Sequence, residues 1–348
     1  MKIVDWLRAD RGPPTQDGSL AVVERSSNGR KPEQAGPAKH GRFVALDGLR
    51  GVAAIIVATT HFRPVGNATL AVDFFFMLSG FVLMYAYSER LFAGFGIGRF
   101  MLARCVRLLP LIVLGTLIGA ISLRPLWLWG AFMIPRVGTR LYPLNSPQWS
   151  LLFEFIGSAL LAVGLWRRFR IVSIGLLILT PVALVVAAIH NGTLDSGWAL
   201  PAFHYGLVRV LFGFSVGTYL FRHPIRIDCP GPVLALILLV ELLLPIPSPF
   251  FQLAVIATFP FILSAAARAR PFPLAEVSGN LSYPLYILHV PIYGLLGLWL
   301  APGPVYLLVA VTVSALALKI YDEPLRHWLS RRLRRPLPRD ERPFGGSP

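Results

Sequence analysis

Apolar stretches of nearly twenty residues recur along the chain from Phe43 onward, and short polar segments separate them. A helix needs about twenty apolar residues to cross the hydrocarbon core of a bilayer. The short alternating segments that are typical of a transmembrane β-barrel are not seen in the sequence. The pattern therefore predicts an all-α fold, a polytopic membrane helical bundle of about ten transmembrane helices.

The ten predicted spans are placed by the length of each apolar run and by the charges at its ends. They cover approximately residues 43–62, 72–87, 108–129, 149–166, 171–189, 204–221, 231–244, 251–267, 281–300 and 305–321. Basic clusters follow the second, fourth, sixth, eighth and tenth spans, and the loop with Arg136 and Arg140 is a partial exception. Because cytoplasmic loops are rich in Lys and Arg, this alternation predicts that both termini are cytoplasmic.

The polar ends of the chain predict three regions. Residues 1–40 are rich in Gly, Pro, Ser and charges of both signs, which is typical of a disordered cytoplasmic tail. Residues 41–325 form the predicted membrane domain. Residues 326–348 form a basic cytoplasmic tail, whose first part is expected to lie on anionic lipid headgroups as a short helix.

Composition excludes several classes of protein. The chain is 55% hydrophobic, only 14% charged and has a mean hydropathy of +0.63, whereas a soluble domain has about 25% charged residues. The net charge of +16 lies in loops between apolar runs, so membrane lipids and not nucleic acid are the expected partners. Cys105 and Cys229 lie near predicted cytoplasmic helix ends, where disulfides are rare, and their spacing predicts no metal site.

The first span contains Arg50 in its cytoplasmic half and His61 near its outer end, and ionisable residues inside a span usually have a function. Eleven residues at 100° each give about 1100°, which is about 20° past three full turns. The two side chains therefore share one helix face, about 16 Å apart along the axis. Snorkelling by Arg50 and a helix-end position for His61 are the ordinary alternatives.

Two acidic residues lie in the second and the fourth predicted spans. Asp73, near the outer end of the second span, is either a helix cap or a carboxylate that orients His61. Glu154 lies inside the fourth span among apolar residues, so it must face the bundle interior. Trp149 and Ser79 have weaker signals, since an aromatic-belt position and close helix packing explain them equally well.

The basic loop and the ninth span add the remaining candidates. Arg104 and Arg107 are three residues apart on one helix face, where they are either ordinary cytoplasmic charges or a phosphate clamp. His289 lies in the middle of the ninth span, in "LSYPLYILHVPIY", with Tyr286 one turn and Ser282 two turns before it. A histidine at this depth is more often functional than structural.

Six of these stretches together resemble the acyltransferase 3 family of membrane O-acyltransferases, which includes O-antigen and exopolysaccharide O-acetylases. They occur in the family's order over about residues 43–325: "LDGLRGVAAIIVATTH", "DFFFMLSGF", the R-x-x-R of Arg104 and Arg107, "WSLLFEF", "LSYPLYILHVPIY" and "YDEPL". The resemblance implies transfer of an acyl group, commonly acetyl from acetyl-CoA, to a hydroxyl of a sugar, polysaccharide or glycolipid. It also implies a multi-pass location in the bacterial cytoplasmic (inner) membrane.

The resemblance assigns roles to the candidates. It implies that Arg50 and His61 are essential, with Arg104 and Arg107 on the side of the CoA. The expected mechanism has His61 as general base, oriented by Asp73 or Glu154, while a transient acyl-histidine is an alternative route. His289, Ser282 and Tyr286 are expected to stabilise the oxyanion or to line the substrate tunnel. Trp149 and Ser79 are expected to line the tunnel. No metal is expected.

A different class of protein is also compatible with the pattern. A proton-coupled transporter or flippase of a lipid-linked or amphipathic substrate would also carry Arg, His and Glu inside its spans. A sensor or scaffold that has lost catalysis is less compatible, because Arg50 and His61 are both present. Release of the CoA thiol distinguishes an enzyme from a transporter.

Overall fold

The computed structural model describes residues 43–92, 96–164 and 170–333. Within these ranges the regular structure is entirely helical, which confirms the predicted class. The predicted N-terminal tail and residues 334–348 of the predicted C-terminal tail lie outside the described residues. The α-helices are α1 Val44–Thr60, α2 Ala71–Phe92, α3 Ile97–Ser122, α4 Gln148–Ala162, α5 Arg170–Asn191, α6 Phe203–Arg222, α7 Gly231–Leu243, α8 Pro249–Ala266, α9 Ala275–Leu296, α10 Pro304–Leu316 and α11 Glu323–Leu333.

Each of the ten predicted spans overlaps one of the helices α1 to α10. By length and composition six helices among the described residues are able to cross a membrane: α2, α3, α5, α6, α8 and the continuous helix Pro304–Leu333, which begins with α10, while α4 and α7 are shorter apolar helices. The count of ten spans therefore stays a prediction. The largest difference in position is in α3, which begins at Ile97 and not near Leu108. Arg99, Arg104 and Arg107 lower the local hydropathy, but arginine is a good helix former and does not end the helix.

The bundle has helices with buried faces and helices with large exposed apolar faces. In the most apolar 18-residue stretch of the helix that contains α2, 72% is buried inside the bundle, whereas the corresponding value for α5 is 22%. Ile171, Ile178 and Leu179 of α5 are among its exposed side chains. Such faces would be costly in water but are normal against lipid tails, which are as apolar as leucine.

Contacts between loops join the ends of alternate helices, and Thr69 Oγ1 in the loop after α1 also donates to Asp195 in the loop after α5, at 3.0 Å. The Asn67 side-chain amide donates to Leu244 O at 2.9 Å, and Leu141 N donates to Trp198 O at 3.1 Å. The loops that follow α1, α3, α5 and α7 therefore meet at one end of the bundle, called here the His61 end. The starts of α1 and α9 meet at the opposite end, called the Arg50 end, which the prediction places in the cytoplasm.

Helices α1 and α9 pack closely because glycines on both helices remove the side chains that would separate them. A Cβ atom built on Gly279 would lie 2.5 Å from Asp47 Cβ and 2.7 Å from Asp47 O. One built on Gly51 would lie 2.5 Å from Ser278 Cβ. The backbone of α1 thus lies directly against α9, which brings the polar side chains of both helices into contact.

Gly279→Ala is expected to destabilise the protein by about 1–3 kcal/mol, because the added methyl group must displace the backbone of α1. Gly98→Ala is the matched control, since a Cβ atom there meets no atom within 4 Å. Alanine at this helical position is expected to be neutral or stabilising. Thermal unfolding of both variants in the same detergent measures the difference, and equal melting temperatures would contradict the close packing.

The end of the described chain is a π-helical segment, Ala317–Asp322, that continues into α11. Helix α11 begins at Glu323 and therefore crosses the predicted boundary at residue 326. Arg326 of α11 donates to Asp322 at 2.7 Å, and Lys319 pairs with Glu323 at 3.0 Å. A helix is thus present where the interfacial helix is predicted, and its contact with headgroups stays a prediction.

Candidate functional site

Two predicted histidines meet at the His61 end of the α1–α9 pair. His61 follows the last residue of α1 and is exposed, whereas His289 of α9 is completely buried. The Nε2 atom of His289 lies 3.1 Å from Nδ1 of His61, and the two rings meet edge to face with their centroids 4.7 Å apart. Sequence reasoning selected both residues but did not predict that they pair.

Backbone carbonyl groups determine which nitrogen of each ring carries the proton. Nδ1 of His289 lies 3.0 Å from Leu285 O, and Nδ1 of His61 lies 2.9 Å from Val57 O. A carbonyl oxygen only accepts, so in each neutral ring Nδ1 is the protonated nitrogen. The lone pair of His289 Nε2 therefore accepts from His61 Nδ1–H. The unprotonated atom of His61 is Nε2, which has the lone pair that a base or nucleophile needs.

Asp73 does not orient His61, which corrects one of the two expected arrangements. Its carboxylate accepts two hydrogen bonds from Arg209 of α6, from Nε at 2.9 Å and from Nη2 at 2.7 Å. Both side chains are almost completely buried, at 0% and 1% exposure. The Arg209 guanidinium also donates to Ser196 O at 2.7 Å and to Thr69 O at 3.1 Å. The pair joins α2 and α6 to two loops of the His61 end.

Glu154 also has other partners than His61. As predicted it faces the bundle interior, where its carboxylate accepts from Arg104 Nη2 and, at 3.1 Å, from Ser79 Oγ. An uncompensated carboxylate at this depth would be costly, and the guanidinium of α3 supplies the opposite charge. Arg104, Glu154 and Ser79 thus form one cluster, which ties α2, α3 and α4 together.

Arg50 connects α1 to α9 at the Arg50 end. Its Nε donates to Ser282 Oγ at 2.7 Å, and its Nη2 donates to Gly279 O at 2.8 Å. Asp47, one turn before it, lies 3.0 Å from Nη2. Arg50 and Ser282, which the sequence selected separately, are therefore in direct contact, and the Arg50 side chain is only partly exposed.

Arg107 lies at the centre of a basic cluster at the Arg50 end. Its guanidinium carbon lies 5.8 Å from the centroid of the Tyr283 ring, and Arg50, Arg104, Arg326 and Asp322 are the charged residues around it. The unpartnered buried atoms among the described residues include Arg104 Nε, Arg326 Nε and Asp322 Oδ1. The cluster therefore has unused hydrogen-bonding capacity, and its positive charges are partly balanced by Asp47, Glu154 and Asp322.

Tyr286 lies beside His289, and Trp149 lies at the start of α4 near the His61 end. The Tyr286 hydroxyl is 2.7 Å from Ser150 Oγ, and its ring packs against Phe75 and, at 6.2 Å, against His289. Trp149 is only 7% exposed and lies 5.3 Å from the Arg209 guanidinium. Trp149 thus packs in the interior against the guanidinium of the Asp73–Arg209 pair. A residue of an aromatic belt would be exposed at the bundle surface, so that alternative does not apply.

Sequence reasoning missed Arg209, Arg326 and Asp195. Arg209 stands inside the sixth predicted span, and its position in the apolar run "GLVRVLFGF" is the signal that would have selected it. Arg326 looks like one more charge of a basic tail, and Asp195 like one more polar residue of a loop. The residues next to Arg326 and Asp195 in the sequence give no signal for a site, because their neighbours in the structure come from distant parts of the chain.

The described residues form an all-helical bundle with apolar helices of membrane length. A histidine pair lies between two helices of the bundle. These features define a multi-pass membrane protein with a polar site inside the bundle. The family model described as an acyltransferase domain, that of the acyltransferase 3 family, matches residues 43–321. The chain therefore belongs to this family, which confirms the resemblance seen in its motifs and indicates a membrane acyltransferase.

One relative is a protein of Rhizobium radiobacter named "Protein 2 in picA locus". It is 48% identical over 79 residues, which are 21% of this chain and 41% of the relative. The chain thus spans about two fifths of the length of that relative. No solved structure matches the chain significantly.

Proposed function

We propose that the protein transfers an acyl group, acetyl in the simplest case, from acyl-CoA to a hydroxyl group of a sugar, polysaccharide or glycolipid in the bacterial inner membrane. The observation that carries the proposal is the His61–His289 pair, which leaves the Nε2 lone pair of an exposed histidine free. The family membership supports acyl transfer, and the donor, the acceptor and the catalytic base are parts of the proposal.

In the proposed reaction His61 Nε2 takes the proton of the acceptor hydroxyl as its oxygen attacks the thioester carbonyl. The tetrahedral intermediate collapses with cleavage of the carbon–sulfur bond. The CoA sulfur leaves as a thiolate, and the proton on His61 Nε2 then neutralises it. No metal or further cofactor takes part in these steps.

The role of His289 is to position and polarise His61. When His61 becomes a cation, its Nδ1–H bonds to Val57 O and His289 Nε2 become charge-assisted and therefore stronger. His289 is held in the accepting tautomer by its own bond to Leu285 O. The pair thus resembles the general arrangement of a base oriented by a third group, with a neutral imidazole in place of a carboxylate.

The basic cluster of Arg50, Arg104, Arg107 and Arg326 is the proposed site for the phosphates of CoA. Guanidinium groups match phosphate oxygens, and the unpartnered Nε atoms of Arg104 and Arg326 provide donors. Arg50 and His61 lie about 16 Å apart along α1. The pantetheine arm is long and thin, so in this arrangement it extends along the α1–α9 pair toward His61.

The decisive experiment measures release of the CoA thiol by the purified full-length protein in lipid nanodiscs with acetyl-CoA, with and without candidate acceptors. We expect release that rises when a hydroxyl acceptor is added. A transporter would release no thiol in either condition, so absence of thiol release across acyl donors and acceptors would contradict the proposal.

Arg107→Gln is expected to raise the KM for acetyl-CoA about tenfold and to leave kcat nearly unchanged, because a phosphate contact is the same in the ground state and the transition state. Arg99→Gln is the matched control, since Arg99 lies on the same helix and is exposed. Steady-state kinetics of the two variants measure the difference. An unchanged KM for Arg107→Gln would show that the phosphates bind elsewhere.

A further inference from the structure

A polar cavity of about 330 Å³ lies at the His61 end, away from the basic cluster. Three loops surround it, namely those that follow α1, α5 and α7. Its polar lining is formed by Asn67, Thr69, Thr193, Asp195 and Gln252, and Pro245, Ile246 and Pro247 form an apolar side. Its volume is near the lower end of the range for ligand pockets, about 300–1,000 Å³.

Hydrogen bonds between distant loops hold the cavity walls in place. Gln252 Nε2 donates to Asn67 Oδ1 at 2.9 Å, and Gln252 Oε1 accepts from Leu194 N at 2.7 Å. The Asn67 amide donates in turn to Leu244 O and Ile246 O, at 2.9 and 3.2 Å. The two amide side chains are therefore occupied by the protein itself and preorganise the cavity.

Asp195 differs from these wall residues because its carboxylate is exposed at the cavity. Its Oδ1 accepts from Thr69 Oγ1 at 3.0 Å, which fixes its orientation. A carboxylate is a pure acceptor with about four lone-pair directions, so one bond leaves it able to accept from a ligand. Gly66 and Thr69 belong to the segment that follows His61, so the cavity lies at the same end of the bundle as the proposed base.

We propose that this cavity binds one sugar ring of the acceptor, with the Asp195 carboxylate accepting hydrogen bonds from the ring hydroxyls, an inference that rests on the proposed acyl transfer. Hydroxyl groups are donors that suit a carboxylate, and the apolar side formed by the prolines and Ile246 suits the carbon face of a sugar. The negative charge of Asp195 disfavours an anionic ligand. The site therefore selects a neutral sugar over a uronic acid.

Binding is measured without acetyl-CoA, so that it does not depend on the transfer reaction. Saturation-transfer NMR is recorded on the full-length protein in nanodiscs with the methyl glycosides of glucose, galactose, mannose and N-acetylglucosamine, and with glucuronate. We expect at least one neutral glycoside to bind and glucuronate to bind more weakly. Absence of binding by all four neutral glycosides, or preferential binding of glucuronate, would overturn the proposal.

Asp195→Asn is expected to weaken glycoside binding about tenfold, because hydrogen bonds to a charged acceptor are replaced by weaker ones. The KM for the acceptor should rise by a similar factor, and the KM for acetyl-CoA should not change. Asp228→Asn is the matched control, since Asp228 is an exposed aspartate whose ion-pair partner is Arg268.

The two proposals fail in different ways. Equal glycoside binding by Asp195→Asn and the unchanged protein would overturn the sugar site and would leave acetyl transfer untouched. Asp195-dependent binding without any transfer from acetyl-CoA would support the sugar site and contradict the proposed reaction.

Discussion

His61→Ala is expected to lower acetyl transfer from acetyl-CoA by about 10²- to 10⁴-fold, the contribution typical of a positioned general base. The substitution removes the Nε2 lone pair that takes the acceptor proton. Because His61 is exposed at the end of α1, its side chain contributes little to packing, so the fold is expected to remain intact. The measurement is the rate of CoA thiol release in the presence of acceptor.

His190→Ala is the matched control for this loss. His190 is an exposed histidine at the end of α5, and its Nδ1 contacts Asn191 Oδ1 at 3.2 Å. Its removal is expected to change activity less than twofold. His190→Ala should leave the unfolding temperature unchanged, and His61→Ala should lower it by only a few degrees, because the buried His289 loses one hydrogen bond. Full activity of His61→Ala would refute the catalytic role, whatever the activity of the control.

Asp73→Asn is expected to destabilise the protein by about 3–5 kcal/mol, which is the usual cost of leaving one partner of a buried ion pair uncompensated. Asp73 and Arg209 are 0% and 1% exposed, and the guanidinium has no route to water when the carboxylate is neutralised. The bonds from Arg209 to Ser196 O and Thr69 O would also be perturbed. Unfolding in a denaturant series measures the loss.

An exposed ion pair provides the comparison. Asp228→Asn removes the ion-pair partner of Arg268, and the Arg268 side chain is 48% exposed. The expected loss of stability is below about 1 kcal/mol. The double variant Asp73→Leu with Arg209→Met is expected to be less destabilised than Asp73→Asn, because it leaves no buried charge. A loss for Asp73→Asn no larger than that of Asp228→Asn would contradict the structural role of the pair.

Helical arithmetic placed Arg50 and His61 on one face of α1, and the contacts of both side chains with α9 agree with that placement. The same reasoning did not find the partner of either residue. Asp73 was expected near His61 because their depths match, yet depth alone does not distinguish among the helices that pass at the same level. In the structure α6 provides Arg209 for Asp73, and α9 provides His289 for His61.

In the candidate site too, the sequence identifies the residues and the packing of the helices decides which of them meet. The motifs selected Arg104, Glu154 and Ser79 separately, and a desolvated carboxylate was correctly expected to face the interior. That these three form one cluster depends on how α2, α3 and α4 are arranged. The cavity around Asp195 had no signal in the sequence, because its lining comes from three separate segments, around residues 66–69, 192–195 and 245–252.

The hydropathy pattern alone is sufficient to predict an all-helical membrane protein and the approximate position of its helices, because backbone hydrogen bonds must be satisfied within each segment in lipid. The motif order is likewise sufficient to indicate the acyltransferase family. Only the packed bundle decides which polar groups meet, since that depends on glycine contacts and loop connections between segments far apart in sequence. The His61–His289 pair, the Asp73–Arg209 pair and the cavity at the His61 end are consequences of that packing.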